Sequence, residues 1–324
     1  MKKNKYLFVL LLLISITVVC SIGTFFYVKV NNDQNVDSEL LVMTSCNPVY
    51  LATVNVVGDV PGVSVQNLSQ PTTGCLHDYT LTTEDMKNLS AADVLVVNGG
   101  GMEGYLDDVV KAYPDLPIID TFEMVEEDYP VIIEEEVEDE EEESNHGIES
   151  EEHHHDSGAN SHIWMSEKIY SGQVKAIAEG LSVLDTGNAG VYADNADKFI
   201  SIMDSQIDGQ GLDEQLSGVS VAVLHEAFAY TAQSLNANVV ATMDLDEERQ
   251  VSAGEVSDFI HAINENDVQV VFAEYDYGHA MGELITEQTD AKVVYLETLV
   301  HGDYSGLDYI TVLNKNYSMI KNTL

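Results

Sequence analysis

Short apolar runs alternate with stretches of helical periodicity from residue 40 to the C-terminus, and that alternation admits few folds. Residues 40–44, 63–68, 93–98 and 117–120 read as strands in a first block, with helices expected over 48–57, from Thr82 and over 102–113. Thr82-Thr83-Glu84-Asp85 has capping-box spacing, and Gly99-Gly100-Gly101 lets the chain turn after the third strand. No Gly-Lys-Ser/Thr or full dinucleotide fingerprint follows those glycines, so they are read as a turn. A second block repeats the pattern, with strands at 219–224, 239–242, 268–272 and 293–296. Its helices are expected over 226–235, from Ser252 to Asn266, over 278–288 and from about Leu307. Strands alternating with helices call for mainly parallel sheets flanked by helices, so the expected class is α/β with two lobes.

Between the blocks, residues 166–184 and 189–210 carry helical patterns, the second with Tyr192, Ala196, Phe199, Ile200 and Met203 at helical spacing. The expected organisation is a segment 1–30, a linker 31–39, an N-terminal lobe 40–188, a connecting helix 189–210 and a C-terminal lobe 211–324. With 324 residues, 45% of them apolar, the chain can fill two cores. Thirteen Lys and Arg against 56 Asp and Glu leave a net charge of −43, which repels nucleic acid and concentrates cations.

The N-terminus reads Met-Lys-Lys-Asn-Lys and continues as 23 uncharged residues, 6–28. That length spans a bilayer as a helix, and the lysines place it with the remainder of the chain outside the cytoplasm. The alternative is a cleaved signal. Cys20 suggests a bacterial lipoprotein acceptor, although Thr17-Val18-Val19 lacks the usual small residue before it. Either way an extracytoplasmic domain is tethered to the membrane. Cys46 and Cys75 then lie where disulfides persist; a bridge would close a loop of about 30 residues and stabilise by roughly 2–4 kcal/mol, with two separate thiols as the alternative.

Residues 134–156 break the alternation: 13 acidic residues, His146 and His153-His154-His155, with almost nothing apolar, predict a disordered loop. Such a tract attracts metal, or is a solvated charge run. Outside it, His77, His162 and His225 each follow an apolar run or loop boundary, and Glu297 follows Val293-Val294-Tyr295-Leu296. Ligands bind beyond the carboxyl ends of strands in open α/β sheets. Neutral imidazole and carboxylate are ligands zinc accepts, so these four residues are the candidate site. Glu274 is a candidate to orient a ligand, and His301 to approach the site. His261 and His279 read as surface residues. His225-Glu226-Ala227-Phe228-Ala229 lacks the second histidine of a His-Glu-x-x-His metalloprotease motif.

A set of motifs supports a resemblance. Thr44-Ser45 with Pro48, Gly74-Cys75-Leu76-His77-Asp78-Tyr79, Thr83-Glu84-Asp85-Met86, Asn98-Gly99 with Met102-Glu103, Ser161-His162-Ile163-Trp164, Leu224-His225-Glu226-Ala227-Phe228 and Phe272-Ala273-Glu274 resemble cluster A-I metal-binding proteins. These are the extracytoplasmic receptors of zinc and manganese ABC importers. The resemblance implies two lobes joined by one long rigid helix, here 189–210, with the metal between them. It implies His77, His162 and His225 as the first three ligands and Glu297 where a carboxylate, commonly aspartate, supplies the fourth. Histidine at the third position is similar to the zinc branch, where the manganese branch has glutamate. Asn160-Ser161 departs from the usual Asp-Pro, and Glu297 is one methylene longer than aspartate.

The resulting expectation is a monomeric receptor, not an enzyme, that captures Zn2+ and hands it to an ABC transporter permease, with Mn2+ as the lesser candidate. Partners are the metal ion, the permease and the membrane that tethers the chain, with no nucleic acid. The alternatives are a manganese receptor, a zinc-dependent hydrolase with an open fourth position, and an adhesin on the same fold.

Overall fold

The computed structural model describes residues 40–70, 74, 76–77, 79–133, 158–207, 209, 211–245, 251–302 and 305–324. The expected membrane segment with Cys20, the linker, Cys75 of the candidate disulfide and the acidic loop 134–156 lie outside the described residues. Among the described residues no helix is long and apolar enough to cross a membrane.

The first block runs β1 (Leu40–Thr44), α1 (Asn47–Val57), β2 (Val63–Asn67), α2 (Thr83–Leu89), β3 (Val94–Val97), α3 (Leu106–Ala112), β4 (Ile118–Asp120) and α4 (Thr121–Val125). Its sheet has the order β2-β1-β3-β4, with β3 parallel to both β1 and β4. The Val-Leu-Val-Val run of β3 is buried throughout, as a strand covered on both faces must be. Helix α1 opens with Pro48 in its first turn, where a missing N–H costs nothing, and stops at Gly58, whose φ of 56° a side chain would resist. The capping box of α2 forms as its spacing predicts, Thr82 Oγ1 accepting from the Asp85 N–H at 3.2 Å while the Asp85 carboxylate accepts from the Thr82 N–H at 2.8 Å.

A 3-10 turn (Ile163–Met165) leads into α5 (Glu167–Leu184) and α6 (Ala189–Gln206), two 18-residue helices packed on each other and on α1. Tyr192, Ala196, Phe199 and Met203 form the buried stripe of α6. The second block is α7 (Leu212–Leu216), β5 (Ser220–Val223), α8 (Ala227–Ser234), β6 (Asn238–Thr242), α9 (Ala253–Glu265), β7 (Val270–Glu274), α10 (His279–Gln288), β8 (Lys292–Leu296) and α11 (Asp308–Thr323). Its sheet repeats the first in topology, β6-β5-β7-β8, with every pair parallel. The expected architecture of two parallel sheets flanked by helices is therefore the one found.

Local differences have physical causes. The helix expected over 102–113 forms only from Leu106, because the preceding residues make the turn that aims the Glu103 carboxylate back at the Asn98 and Gly99 N–H groups (2.8 and 2.9 Å). Gly99, Gly100 and Gly101 all have positive φ there, and a Cβ on Gly100 would collide with the Phe122 ring. The two short helices α4 and α7, with five residues each, are too brief to leave a period in the sequence.

Leu41–Val60 and Val65–Leu324 form one compact unit; in the other, the Leu40 N–H donates to the Gly62 carbonyl at 3.0 Å. Inside the larger unit the lobes meet along a buried polar seam. Tyr170 of α5 stacks on Tyr309 of α11 with ring centroids 3.7 Å apart. Their hydroxyls donate to the carbonyls of Pro48 (2.8 Å) and Trp164 (2.9 Å). The Trp164 indole N–H donates to the Thr298 carbonyl (2.7 Å), and Asn47 Nδ2 to the Leu299 carbonyl (2.8 Å).

Candidate metal centre

Both sheets reverse strand order at their first strand, β1 beside β3 and β5 beside β7, and such switch points open a crevice at the carboxyl ends. Residues that follow those ends line it: Ser45 after β1, Asn98 after β3, His225 after β5 and Thr298 after β8, with Glu274 closing β7. All five are buried.

His225 Nδ1 lies 3.2 Å from Glu274 Oε2, and the other oxygen of Glu274 accepts from the Thr298 hydroxyl at 3.1 Å. Burial pushes the Glu274 carboxyl pKa up, and its hydrogen bond with His225 pulls the other way. His162, fully buried, has Nδ1 3.2 Å from both Asn160 Oδ1 and Glu226 Oε1. Amide and carboxylate oxygens only accept, so in both neutral imidazoles the hydrogen sits on Nδ1 and Nε2 keeps the lone pair a metal needs. The His162 ring lies 4.8 Å from the His225 ring and 5.5 Å from the His77 ring, centroid to centroid.

His77 follows the buried Leu76, and Gly104 packs against its backbone; a Cβ on Gly104 would collide with the His77 carbonyl. Behind the histidines, Asn98 Nδ2 donates to the Ser161 carbonyl (2.8 Å), and Gln173 Nε2 holds Asn98 Oδ1 (3.0 Å) and Thr121 Oγ1 (2.8 Å). This ties the segment carrying His162 to the end of β3. Glu103 belongs to the same network, and burial raises its carboxyl pKa to about 7 against its backbone donors.

Among the described residues, His77, His162 and Glu226 place potential ligand atoms within 4.8 Å of one another. His225 adjoins this group through His162. Glu297 stands outside it: its carboxylate engages the Lys315 ammonium, which also lies 5.1 Å from the centre of the Tyr275 ring. Its peptide is held by Asn316 on both sides, the N–H donating to Oδ1 at 2.9 Å and the carbonyl accepting from Nδ2 at 2.8 Å. The carboxylate gathered with the histidines is thus Glu226, which sequence reasoning weighed only as half of a protease motif. Its position directly after His225, at the entry to α8, was the available signal. His301 pairs instead with Asp276 (3.1 Å) at the surface, His261 with Glu265 (3.6 Å), and His279 packs on the Tyr295 ring, centroids 4.1 Å apart. Three imidazoles and a carboxylate make a nitrogen-rich set suited to a borderline-soft divalent cation.

Residues 42–323 match the family described as zinc-uptake complex component A, periplasmic. The zinc-binding lipoprotein AdcA of Streptococcus pneumoniae is 24% identical over 94% of this chain, which spans 60% of that protein's length. The high-affinity zinc uptake system protein ZnuA of Bacillus subtilis is 24% identical with 88% of each chain covered, and the iron-binding protein YfeA of Yersinia pestis 23% identical over 90% of this chain and 88% of its own. Among solved structures, the binding protein FpvC of Pseudomonas aeruginosa with Ni2+ superposes with a TM-score of 0.72 at 22% identity, covering 88% of this chain and 96% of that one. A crystal structure of ZnuA superposes at 0.66 with 23% identity, covering 88% and 98%.

Proposed function

Since the chain belongs to the periplasmic zinc-uptake component A family, matched from residue 42 to residue 323, we propose that it is an extracytoplasmic receptor that captures Zn2+ between its lobes and delivers it to the permease of an ABC importer. The observation that carries this reading is that His77, His162 and Glu226 bring potential ligand atoms within 4.8 Å of one another, with the His225 ring 4.8 Å from that of His162. The Nδ1 hydrogens of His162 and His225 face fixed acceptors, so two Nε2 lone pairs are presented without further rearrangement. Capture is ligand exchange, with no bond made or broken in an organic substrate. The N-terminal apolar segment or a lipid on Cys20 tethers the receptor to the outer face of a bacterial membrane, where it works as a monomer.

Relatives named for zinc, iron and manganese share the fold, so the cation must be argued from ligand chemistry. Imidazole ligands favour zinc, and oxygen-rich sites favour manganese. The fourth ligand is a carboxylate, Glu297 once it leaves Lys315, as the resemblance implies, or Glu226 once it leaves the His162 Nδ1 hydrogen.

The test is metal content and competitive Zn2+ against Mn2+ titration on the detergent-solubilised chain, alongside His77→Ala, His162→Ala, His225→Ala, Glu226→Ala and Glu297→Ala. One tightly held zinc, weakened by each histidine substitution, is expected. Manganese preference would move the reading to the manganese receptors. Zinc retained after all three histidine changes would sink it.

A further inference from the structure

Glu226 stands at the N-cap of α8, yet its side chain makes no cap bond to the helix it opens. A carboxylate at that position ordinarily turns back onto the first free N–H groups of its helix. Here Oε1 lies instead 3.2 Å from His162 Nδ1, on the segment that leads into α5. The His162 side chain is 1% exposed and that of Glu226 18%, so water screens the contact little. The Glu226 peptide is fixed as well, its carbonyl accepting from Asn160 Nδ2 at 2.9 Å. Asn160 Oδ1, the other acceptor near His162 Nδ1, is shared with the His162 backbone N–H at 3.1 Å. Glu226 is therefore the charged acceptor on that nitrogen, as Glu274 is on His225 Nδ1, also at 3.2 Å.

We propose that Glu226 is a positioning residue outside the metal's ligand set, holding the Nδ1 hydrogen of His162 and thereby turning the Nε2 lone pair toward the ion. The inference rests on the metal-binding reading above and decides between the two roles open to Glu226. The ring nitrogens of an imidazole point apart, so an oxygen held at Nδ1 leaves Nε2 open and does not itself reach an ion bound there. An ion on Nε2 draws electron density from the ring and makes Nδ1–H a stronger donor. A charged acceptor at Nδ1 then strengthens the bond to the metal. His225 and Glu226 are consecutive residues after β5. The first presents a candidate ligand, and the second braces His162, whose ring centroid lies 4.8 Å from that of His225.

The experiment measures zinc affinity by chelator competition and the visible absorption of the Co2+-loaded protein, both on the detergent-solubilised chain, with melting of the metal-free forms as the folding control. Glu226→Gln keeps the shape and an accepting oxygen but loses the charge. Glu226→Asp keeps the charge but draws it back by one methylene, from a peptide that Asn160 holds in place. Both are expected to bind zinc about 10- to 100-fold more weakly, the usual cost of losing an outer partner of a ligand. Co2+ absorption reports the number and geometry of the ligands, so its bands should keep their wild-type positions and intensity in Glu226→Gln and in Glu226→Ala. An altered Co2+ spectrum in Glu226→Ala would make Glu226 a ligand and overturn the proposal. Unchanged zinc affinity in Glu226→Gln would overturn it too, as would wild-type affinity in Glu226→Asp, which would reduce the effect to net charge. A wild-type chain that takes up neither ion overturns the metal-binding reading itself, and the proposal with it. Should Glu226→Gln fail to fold, Glu226→Asp and Glu226→Ala carry the same comparison.

Discussion

Replacing Glu274 by Gln separates metal binding from folding at a single position. In the native chain both carboxylate oxygens are used, one by His225 Nδ1 at 3.2 Å and one by the Thr298 hydroxyl at 3.1 Å, in a site where the side chain is 2% exposed. A glutamine fits the same volume, its oxygen facing His225 and its amide donating to a Thr298 hydroxyl that reverses its role. The hydrogen-bond count survives and a buried charge disappears. The raised pKa of Glu274 shows that burying that charge is costly, so stability of the metal-free chain should change by no more than about 1 kcal/mol. The metal loses more, because a carboxylate makes the opposite imidazole nitrogen a stronger donor than an amide does. Loss of such a partner costs about 10- to 100-fold in affinity, or roughly 1.4–2.8 kcal/mol. Chelator competition gives the affinity and denaturant unfolding of the metal-free protein the stability. Unchanged zinc affinity, or a stability loss as large as the binding loss, would refute the assignment of Glu274 to His225 orientation.

Three other outcomes are expected. Gly104→Ala sets a Cβ against the His77 carbonyl, so the His77 backbone must shift; zinc affinity should fall about tenfold with little change in melting, and an unchanged affinity would argue against His77 as a ligand. Glu103, its pKa raised to about 7 by burial, binds its proton more tightly folded than unfolded. Its contribution to stability is complete below the usual carboxylate range and lost as pH rises through about 7, so the wild-type denaturation midpoint should fall relative to Glu103→Gln between pH 5 and 8. A difference that stays flat with pH would contradict this. Tyr309→Phe leaves the stacked ring in place but removes its donor to the Trp164 carbonyl, and equilibrium unfolding should show a loss of about 1–3 kcal/mol.

The fold was legible because its elements announce themselves locally. The strand Val94–Val97 is a continuous β-branched and leucine run, and Thr82 with Asp85 is a capping box wherever the chain goes afterwards. The histidines were chosen as candidates for a related reason: His225 immediately follows a strand, and strand ends are where open sheets hold ligands. What could not be read was what each nearby carboxylate pairs with. Glu297 also follows a strand, but its charge is taken by Lys315, 18 residues later in sequence and adjacent only once α11 packs on β8. Glu226 stood in sequence only as part of an incomplete protease motif, and nothing local shows that Asn160, 66 residues earlier, holds its peptide. Both facts are long-range pairings, which no periodicity encodes.

The seam bears on where exchange of an ion at the proposed site is expected to begin. Separating the lobes as rigid bodies would strip partners from the buried hydroxyl of Tyr309, the indole of Trp164 and the amide of Asn47 together, and would unstack Tyr309 from Tyr170. Each buried group left unpaired costs about 1–3 kcal/mol, so a wide opening is expensive compared with moving one ligand. His162 and His225 are held by fixed acceptors inside the crevice, and the Glu226 peptide is gripped by Asn160. His77 differs from all of them in being the least buried of the three histidines and in lying outside the four seam contacts. We therefore expect ligand exchange at the proposed site to start at His77, since a partner that draws it outward would leave ligands too few to hold the ion without unfolding either sheet.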